Sequence, residues 1–256
     1  MSAGGFVEQR RAGVLALAVC LTLSPEALAY RPFDGTDADL EDVGGFEAEI
    51  GTAYTRVERG SQALALPATV LNLGIAYGLE AVVDFKPVVP LKSEAGTPPL
   101  ELVDTDVLVK WLFSRGSLQG EQGPSLALET GPLLPEVNGD SGFGFQASLI
   151  GSQRWSVVML HLNALGAYSR TGELEGAGSL IVEGLPRAAV RPVTEISIGG
   201  SRREGMLYSA LEGAIWTPSD ALAVDAAARV GREEHRALFE LRVGFTWSVA
   251  LWKPRG

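Results

Sequence analysis

The chain has 256 residues, 46% hydrophobic and 20% charged, and a formal net charge of −10. This composition excludes a disordered chain, and no apolar run approaches the ~20 residues that a membrane-spanning helix needs. The acidic balance excludes nucleic acid as a partner and argues against docking on an anionic membrane surface.

Arg10 and Arg11 precede an apolar run, Ala12 to Leu23, and Ala27-Leu28-Ala29 follows. A charged start, a short apolar core and an A-x-A site read as a secretory signal peptide over residues 1–29. Cys20 lies inside it behind Val19, where a lipid-modified cysteine would need a small residue. The mature chain then carries no thiol, disulfide or cysteine-based metal site. An exported chain of this kind is stabilised by hydrogen bonding and burial alone, which a closed barrel supplies by pairing every strand edge. Residues 30–42 are acidic and aperiodic and read as a flexible N-terminal lead-in.

From there the chain alternates with a period of two, the period that sends side chains to opposite faces of a strand. Strand one sets Phe46, Ala48, Ile50, Thr52 and Tyr54 against Glu47, Glu49 and Gly51. Strand two sets Leu71, Leu73, Ile75 and Tyr77 against Asn72, Gly74 and Ala76, and Gly78 turns into strand three, where Ala81, Val83 and Phe85 oppose Glu80, Asp84 and Lys86. A loop with several prolines, 87–100, leads to strand four, with Val107, Val109, Trp111 and Phe113 opposite Asp104, Asp106 and Lys110. Strand five carries Glu129 opposite Leu126 and Leu128. Strand six carries Gln146 opposite Phe145 and Leu149, and strand seven carries His161 and Asn163 opposite Leu160 and Leu162. Strand eight, about 178–184, is weak. Strand nine sets Thr194, Ile196 and Ile198 against Glu195 and Ser197, and strand ten sets Leu207, Leu211 and Ile215 against Glu212. Strand eleven opposes Leu222, Val224 and Val230 to Asp225 and Arg229. In strand twelve Phe239, Leu241, Val243, Phe245, Trp247, Val249 and Leu251 oppose Glu240, Arg242 and Thr246.

The fold class expected is therefore all-β: a single antiparallel up-and-down transmembrane β-barrel of about 12 strands over residues 43–252, with a tail at 253–256. One miscounted hairpin would give 10 or 14 strands. Charged side chains on the lipid face cost roughly 2–4 kcal/mol at the bilayer midplane, so their confinement to one parity carries the argument. The lumen-lining residues expected are Glu47, Glu80, Asp84, Lys86, Asp106, Lys110 and Glu129 in the first half of the chain. In the second half they are His161, Glu195, Glu212, Asp225, Arg229, Glu240 and Arg242. Two readings stay open: these charges pair across strands and keep the interior wet, or an acid-rich lumen selects among solutes. Trp111, Trp155, Trp216, Trp247 and Trp252 fall near strand ends, as girdle residues do. Tight turns after strands two, six and ten and longer loops after strands three and five suggest periplasmic turns on one rim and outer loops on the other.

No cofactor or metal is expected: HExxH, P-loop, G-x-S-x-G and paired Cys/His patterns are missing. Asp140, in Gly139-Asp140-Ser141-Gly142, reads as a turn rather than a calcium site. A catalytic His161 would need a serine and a polar orienter at the outer wall, and no serine motif accompanies it.

The stretches Tyr77-Gly78-Leu79-Glu80, Leu134-Pro135 to Gly139-Asp140, Leu160-His161-Leu162-Asn163 with Gly166 and Tyr168, and Thr217-Pro218-Ser219 before Asp225 carry a resemblance. With Asp106 and Lys110 they resemble the outer-membrane transporters grouped as "meta-pathway of phenol degradation" proteins. The resemblance implies a barrel of the cell outer membrane, not an enzyme, that passes a small neutral or hydrophobic solute, aromatic in some members. The partners implied are outer-membrane lipid, a small-molecule solute, and the barrel-insertion machinery acting through the C-terminal strand. The alternatives are a closed structural barrel whose outer loops dock a partner, and a membrane-embedded hydrolase.

Overall fold

The computed structural model describes residues 32–58, 60–92, 97–201, 205–233 and 235–252. The expected signal peptide and the 253–256 tail lie outside the described residues. Twelve strands follow in order: β1 (Gly45–Val57), β2 (Gln62–Ala76), β3 (Leu79–Lys92), β4 (Glu101–Ser114), β5 (Ser125–Leu133) and β6 (Gly144–Arg154). The second half holds β7 (Val158–Tyr168), β8 (Leu174–Gly184), β9 (Val190–Ser201), β10 (Gly205–Ser219), β11 (Leu222–Glu233) and β12 (Arg236–Ala250). Each pairs antiparallel with its neighbours in sequence, and β1 pairs with β12, which closes the barrel. Closure leaves no strand edge, so the sheet's hydrogen bonds are satisfied in hydrocarbon.

The two-residue rhythm is visible along β12. Phe239, Leu241, Val243, Phe245 and Trp247 are exposed on the outside, while Glu240, Thr246 and Ser248 are buried inside. Phe245 stands opposite Ile50 of β1 and Val224 of β11, so apolar rows continue around the wall. All five tryptophans are exposed, and all lie at the rim where β1 begins and β12 ends, the near rim. Toward the far rim the exposed aromatics are Phe143, Phe145, Tyr168, Tyr208 and Phe239. An apolar outer band between two aromatic girdles is the exterior of a barrel that spans an outer membrane.

Strand eight is a full element, β8, that reads weakly because its outward positions include Gly176 and Gly178. The short turns expected after strands two, six and ten, 77–78, 155–157 and 220–221, lie on the near rim, and the longer connections after strands three and five lie on the far rim. The near-rim connection 115–124 departs from this sorting, being as long as the far-rim connection 134–143. It contains a 3₁₀ turn, Ser117–Gln119, that leans into the lumen.

One strand corrects the sequence reading. In β10 the large residues Leu211 and Ile215 are fully buried on the inside, and Glu212 is exposed on the outside between Tyr208 and Trp216. A one-residue change of register exchanges the two faces of a strand. Glu212 is thus not a lumen residue. It accepts a hydrogen bond from Thr194 Oγ1 (2.8 Å), another outward side chain. The physical reason is an apolar cluster within the barrel: Ile215 packs with Val193 and Ala223, and Phe33 covers them. Inward leucine and isoleucine are favourable here because the interior is not all water.

Replacing Glu212 with leucine should remove a carboxylate from midway between the girdles and raise stability by up to about 2 kcal/mol. Glu240→Leu, the same change on the inside, should lower it, because Arg242 and Thr55 both bond to Glu240. Denaturant midpoints of the protein refolded in lipid vesicles would read both.

Candidate functional site

The residues ahead of β1 lie inside the barrel. The sequence reads 30–42 as a flexible lead-in, but the described part, from Pro32, crosses the lumen and is bonded to its walls. Backbone N–H groups of Asp34 and Gly35 donate to the two carboxylate oxygens of Glu195 (3.0 and 2.9 Å). Asn163 grips Thr36 at both ends, accepting from its N–H (3.0 Å) and donating to its carbonyl (2.9 Å). Ser152 Oγ accepts from Ala38 N–H, and Gln119 of the 3₁₀ turn donates to the Ala38 carbonyl and to Asp39. Glu80 accepts from Glu41 N–H (2.6 Å). An aperiodic segment has no ladder to satisfy its amides, so buried side chains from the strands must do so.

Ion pairs complete the seat. The Asp34 carboxylate bridges two arginines, with one oxygen on Arg242 (2.6 Å) and the other on Arg229. Arg229 also meets Glu195 (3.2 Å), and Arg242 meets Glu240 (2.5 Å) and donates to the Pro32 carbonyl (2.8 Å). Lys110 reaches Asp37 (3.7 Å) and donates to Thr36 Oγ1. Ala38 packs with Ala127 and Ile150 in a second small cluster, against Leu112. At two positions glycine allows a close approach. A Cβ on Gly35 would stand 2.5 Å from Ser179 Oγ, and Gly44, where the segment turns into β1, has φ +84° with a Cβ site 2.3 Å from the Trp252 carbonyl.

The segment narrows the lumen. Beside it lies a cavity of about 1180 Å³, lined by the segment and by residues of all twelve strands, most of them on β1–β4. Of the lumen residues expected from sequence, Glu47, Glu80, Asp84, Lys86, Asp106, Lys110, Glu129, Arg229, Glu240 and Arg242 line this cavity. His161, Glu195 and Asp225 also point inward but are only 1% exposed. The sequence reading missed Asn163, Ser152 and Gln119 as binding groups, and also Glu183 and Arg191. Asp104 and Asp106 are held by Lys86 and Arg170 respectively. The Asp140 turn is closed by Glu136, whose carboxylate accepts from Asp140 N–H. Among the described residues no group of three or more potential ligands could hold a metal ion.

Ser152, His161 and Glu183 form a chain in space that the sequence does not show. Ser152 Oγ lies 2.9 Å from His161 Nδ1, and His161 Nε2 lies 3.4 Å from Glu183, which also meets Arg191 (3.3 Å). None of the three lines the cavity, and Ser152 Oγ already accepts from the segment at Ala38. A nucleophile needs access to substrate; here the chain serves to hold the segment down.

Charge on the segment follows its surroundings. Burial would raise the Asp34 pKa, but Arg242 and Arg229 outweigh it and hold it well below the carboxylate range. Asp39, withdrawn from water and beside Asp37, is pushed up to about 6. Glu41, buried and near Glu80, Asp42 and Asp39, is pushed up to about 7.

No known family model matches the chain, and no curated protein matches it. Solved structures match its fold. An outer-membrane channel from Pseudomonas putida F1 aligns with a TM-score of 0.63 at 6% identity over 84% of this chain and 99% of that one. The NanC porin aligns at 0.55 and 6% over 78% and 98%. The KdgM porin, in complex with disordered oligogalacturonate, aligns at 0.51 and 10% over 78% and 98%. The fold is therefore that of the outer-membrane porins and channels. The narrower resemblance to the phenol-degradation transporters gains no support from these matches.

The raised Asp39 and Glu41 predict a pH response of the segment. Each holds its proton more tightly docked than free, so docking is favoured at low pH. That advantage is lost as pH rises from about 4 through about 7. A cysteine placed at Thr36 should become more accessible to a thiol reagent between about pH 5 and about pH 8. Comparing its labelling rate at each pH with and without Glu41→Gln cancels the thiol's own titration. A difference that does not grow with pH would contradict the assignment.

Proposed function

We propose that the chain is an outer-membrane channel for a small amphipathic solute, with the N-terminal segment setting its width. The observation that carries this is the way the segment is held. Among the described residues no backbone-to-backbone hydrogen bond joins residues 34–41 to a strand; side chains hold them. Side-chain bonds can be exchanged for bonds to water or to a solute at small net cost, about 0.5–1.5 kcal/mol each. A segment meant only to fill the barrel would be expected to add a strand or a dry core.

The cavity walls support the solute's character. Ala53, Ala65, Val88, Val103, Leu207 and Leu238 line it together with the charged groups. A cavity that sets small apolar side chains among many charged ones suits a solute with an apolar body and a polar end. The finer expectation of a neutral or aromatic compound belongs to this reading, and the apolar lining is what favours it. The near rim, where β1 begins and the tryptophans gather, would face the periplasm. The segment's occupation of the lumen also favours a second reading, a barrel closed for good.

A reversible lock separates the two. In a Cys20→Ser background, Gly35→Cys with Ser179→Cys places a thiol pair where the segment touches β8. Planar-bilayer currents should fall when the pair is oxidised and return on reduction. Absence of current in both states, with heat-modifiable gel migration showing a folded barrel, would favour the closed barrel.

A further inference from the structure

The segment does more at Asp34 than narrow the lumen: it places a carboxylate on a cradle built by the barrel. Arg229 and Arg242 come from the inner faces of neighbouring strands, in consecutive rows, since Arg229 pairs with Glu240 and Ala227 with Arg242. Each offers one guanidinium N–H group to a different oxygen of the same carboxylate. That is the arrangement by which a pair of arginines recognises a carboxylate. The arginines are 5% and 13% exposed, but Asp34 is 46% exposed, toward the cavity. The cradle is thus fixed, and its present occupant belongs to an aperiodic segment and can be reached by a solute.

The geometry points to Arg229 and Arg242 as a carboxylate-binding site of the lumen, with Asp34 as a built-in competitor that a small amphipathic monocarboxylate displaces. The inference rests on the channel reading above and names its solute class. Exchange is like for like. Were Asp34 to leave alone, two largely buried guanidinium groups would lose a partner, which is strongly unfavourable; an incoming carboxylate restores both contacts. The charge on the arginine pair is conserved, because Glu195 and Glu240 stay in place on the same arginines and one carboxylate replaces another, while the displaced Asp34 carboxylate turns to the water of the cavity. Beside Arg242 the wall is small, with Ala53 and Ala227 directly paired to it, and Leu238 lies further along β12. An apolar body therefore has room next to the carboxylate. Glu49 on neighbouring β1, Asp84 on β3 and Glu129 on β5 also line the cavity, and a second negative charge on the solute would meet them. A monocarboxylate is favoured over a dicarboxylate for that reason.

The test uses the purified chain in detergent and in planar bilayers, with benzoate as probe, benzamide as its uncharged counterpart and phthalate as the dianion. Titration calorimetry should show benzoate binding, with neither benzamide nor phthalate doing so. Asp34→Asn removes the competitor without altering a strand and should tighten benzoate about ten-fold, since the site no longer spends most of its time filled. Arg242→Gln should abolish binding, with gel migration confirming that the barrel has formed. In bilayers benzoate should raise the wild-type current and leave Asp34→Asn, already open, unchanged. Equal binding of benzoate and benzamide, or wild-type affinity in Asp34→Asn, would overturn the site. If the variants change benzoate binding as stated but no protein carries current, the site stands and the channel reading falls. If Asp34→Asn conducts while benzoate neither binds nor opens the wild type, the channel stands and the carboxylate site is overturned.

Discussion

A closed lumen lined with ionised groups must find a partner for each of them, and the N-terminal segment is where several find theirs. Arg229 and Arg242 stand on adjacent strands with Glu195 and Glu240 as neighbours, and Asp34 joins the cluster from the segment. Lys110, 6% exposed, meets Asp37 of the same segment. Buried charges left without a partner are costly, and like charges side by side more so. The path of the segment follows from these demands. It runs from the arginines of β11 and β12, past Asn163 and Ser152, to Glu80 on β3, and polar side-chain contacts hold it along the way between two apolar anchors, Phe33 and Ala38.

The exterior obeys a different constraint, set by lipid. Outward rows of leucine, valine and phenylalanine between two aromatic girdles are what hydrocarbon accepts. Glu212 breaks the rule and takes a hydrogen bond from Thr194. Its position is the consequence of a requirement on the other face. Leu211 and Ile215 turn inward, Ile215 to pack with Val193 and Ala223 beneath Phe33, and a strand cannot turn alternate residues inward without turning the rest outward. The segment's apolar contacts thus set the register of β10, and lipid exposure of one carboxylate is the result.

This link explains what the sequence made legible. Ten strands carry their faces plainly, because lipid outside and charge inside leave a strong two-residue signal, as in Phe239 to Trp247, while the glycines of β8 blur it. The strand count and closure follow from that signal. β10 misleads because the assumption behind the signal, an interior wholly of water, fails beside the segment. The segment itself is illegible: Pro32 to Asp42 has no period, and nothing in Asp34 or Asp37 announces arginine and lysine partners far along the chain. Ser152, His161 and Glu183 are likewise ordinary residues on three strands until the register brings them together. The positions that line the cavity were readable as inward; their partners were not, since pairing in a lumen depends on which strands face each other across it.

The segment is also held unevenly, and this decides which part of it can move. Phe33 and Ala38 are seated in apolar clusters, and water is a poor substitute for those contacts. Between them, Asp34, Gly35, Thr36 and Asp37 are held by carboxylate, amide and ammonium groups, for which water or a solute can substitute. Expelling the whole segment would expose Val193, Ile215, Ala127 and Ile150 to the lumen. Letting the Asp34 carboxylate swing off Arg229 and Arg242 disturbs neither cluster. Local exchange at the middle of the segment is therefore the cheaper motion, and the apolar anchors on either side return the chain to its seat when the solute has passed.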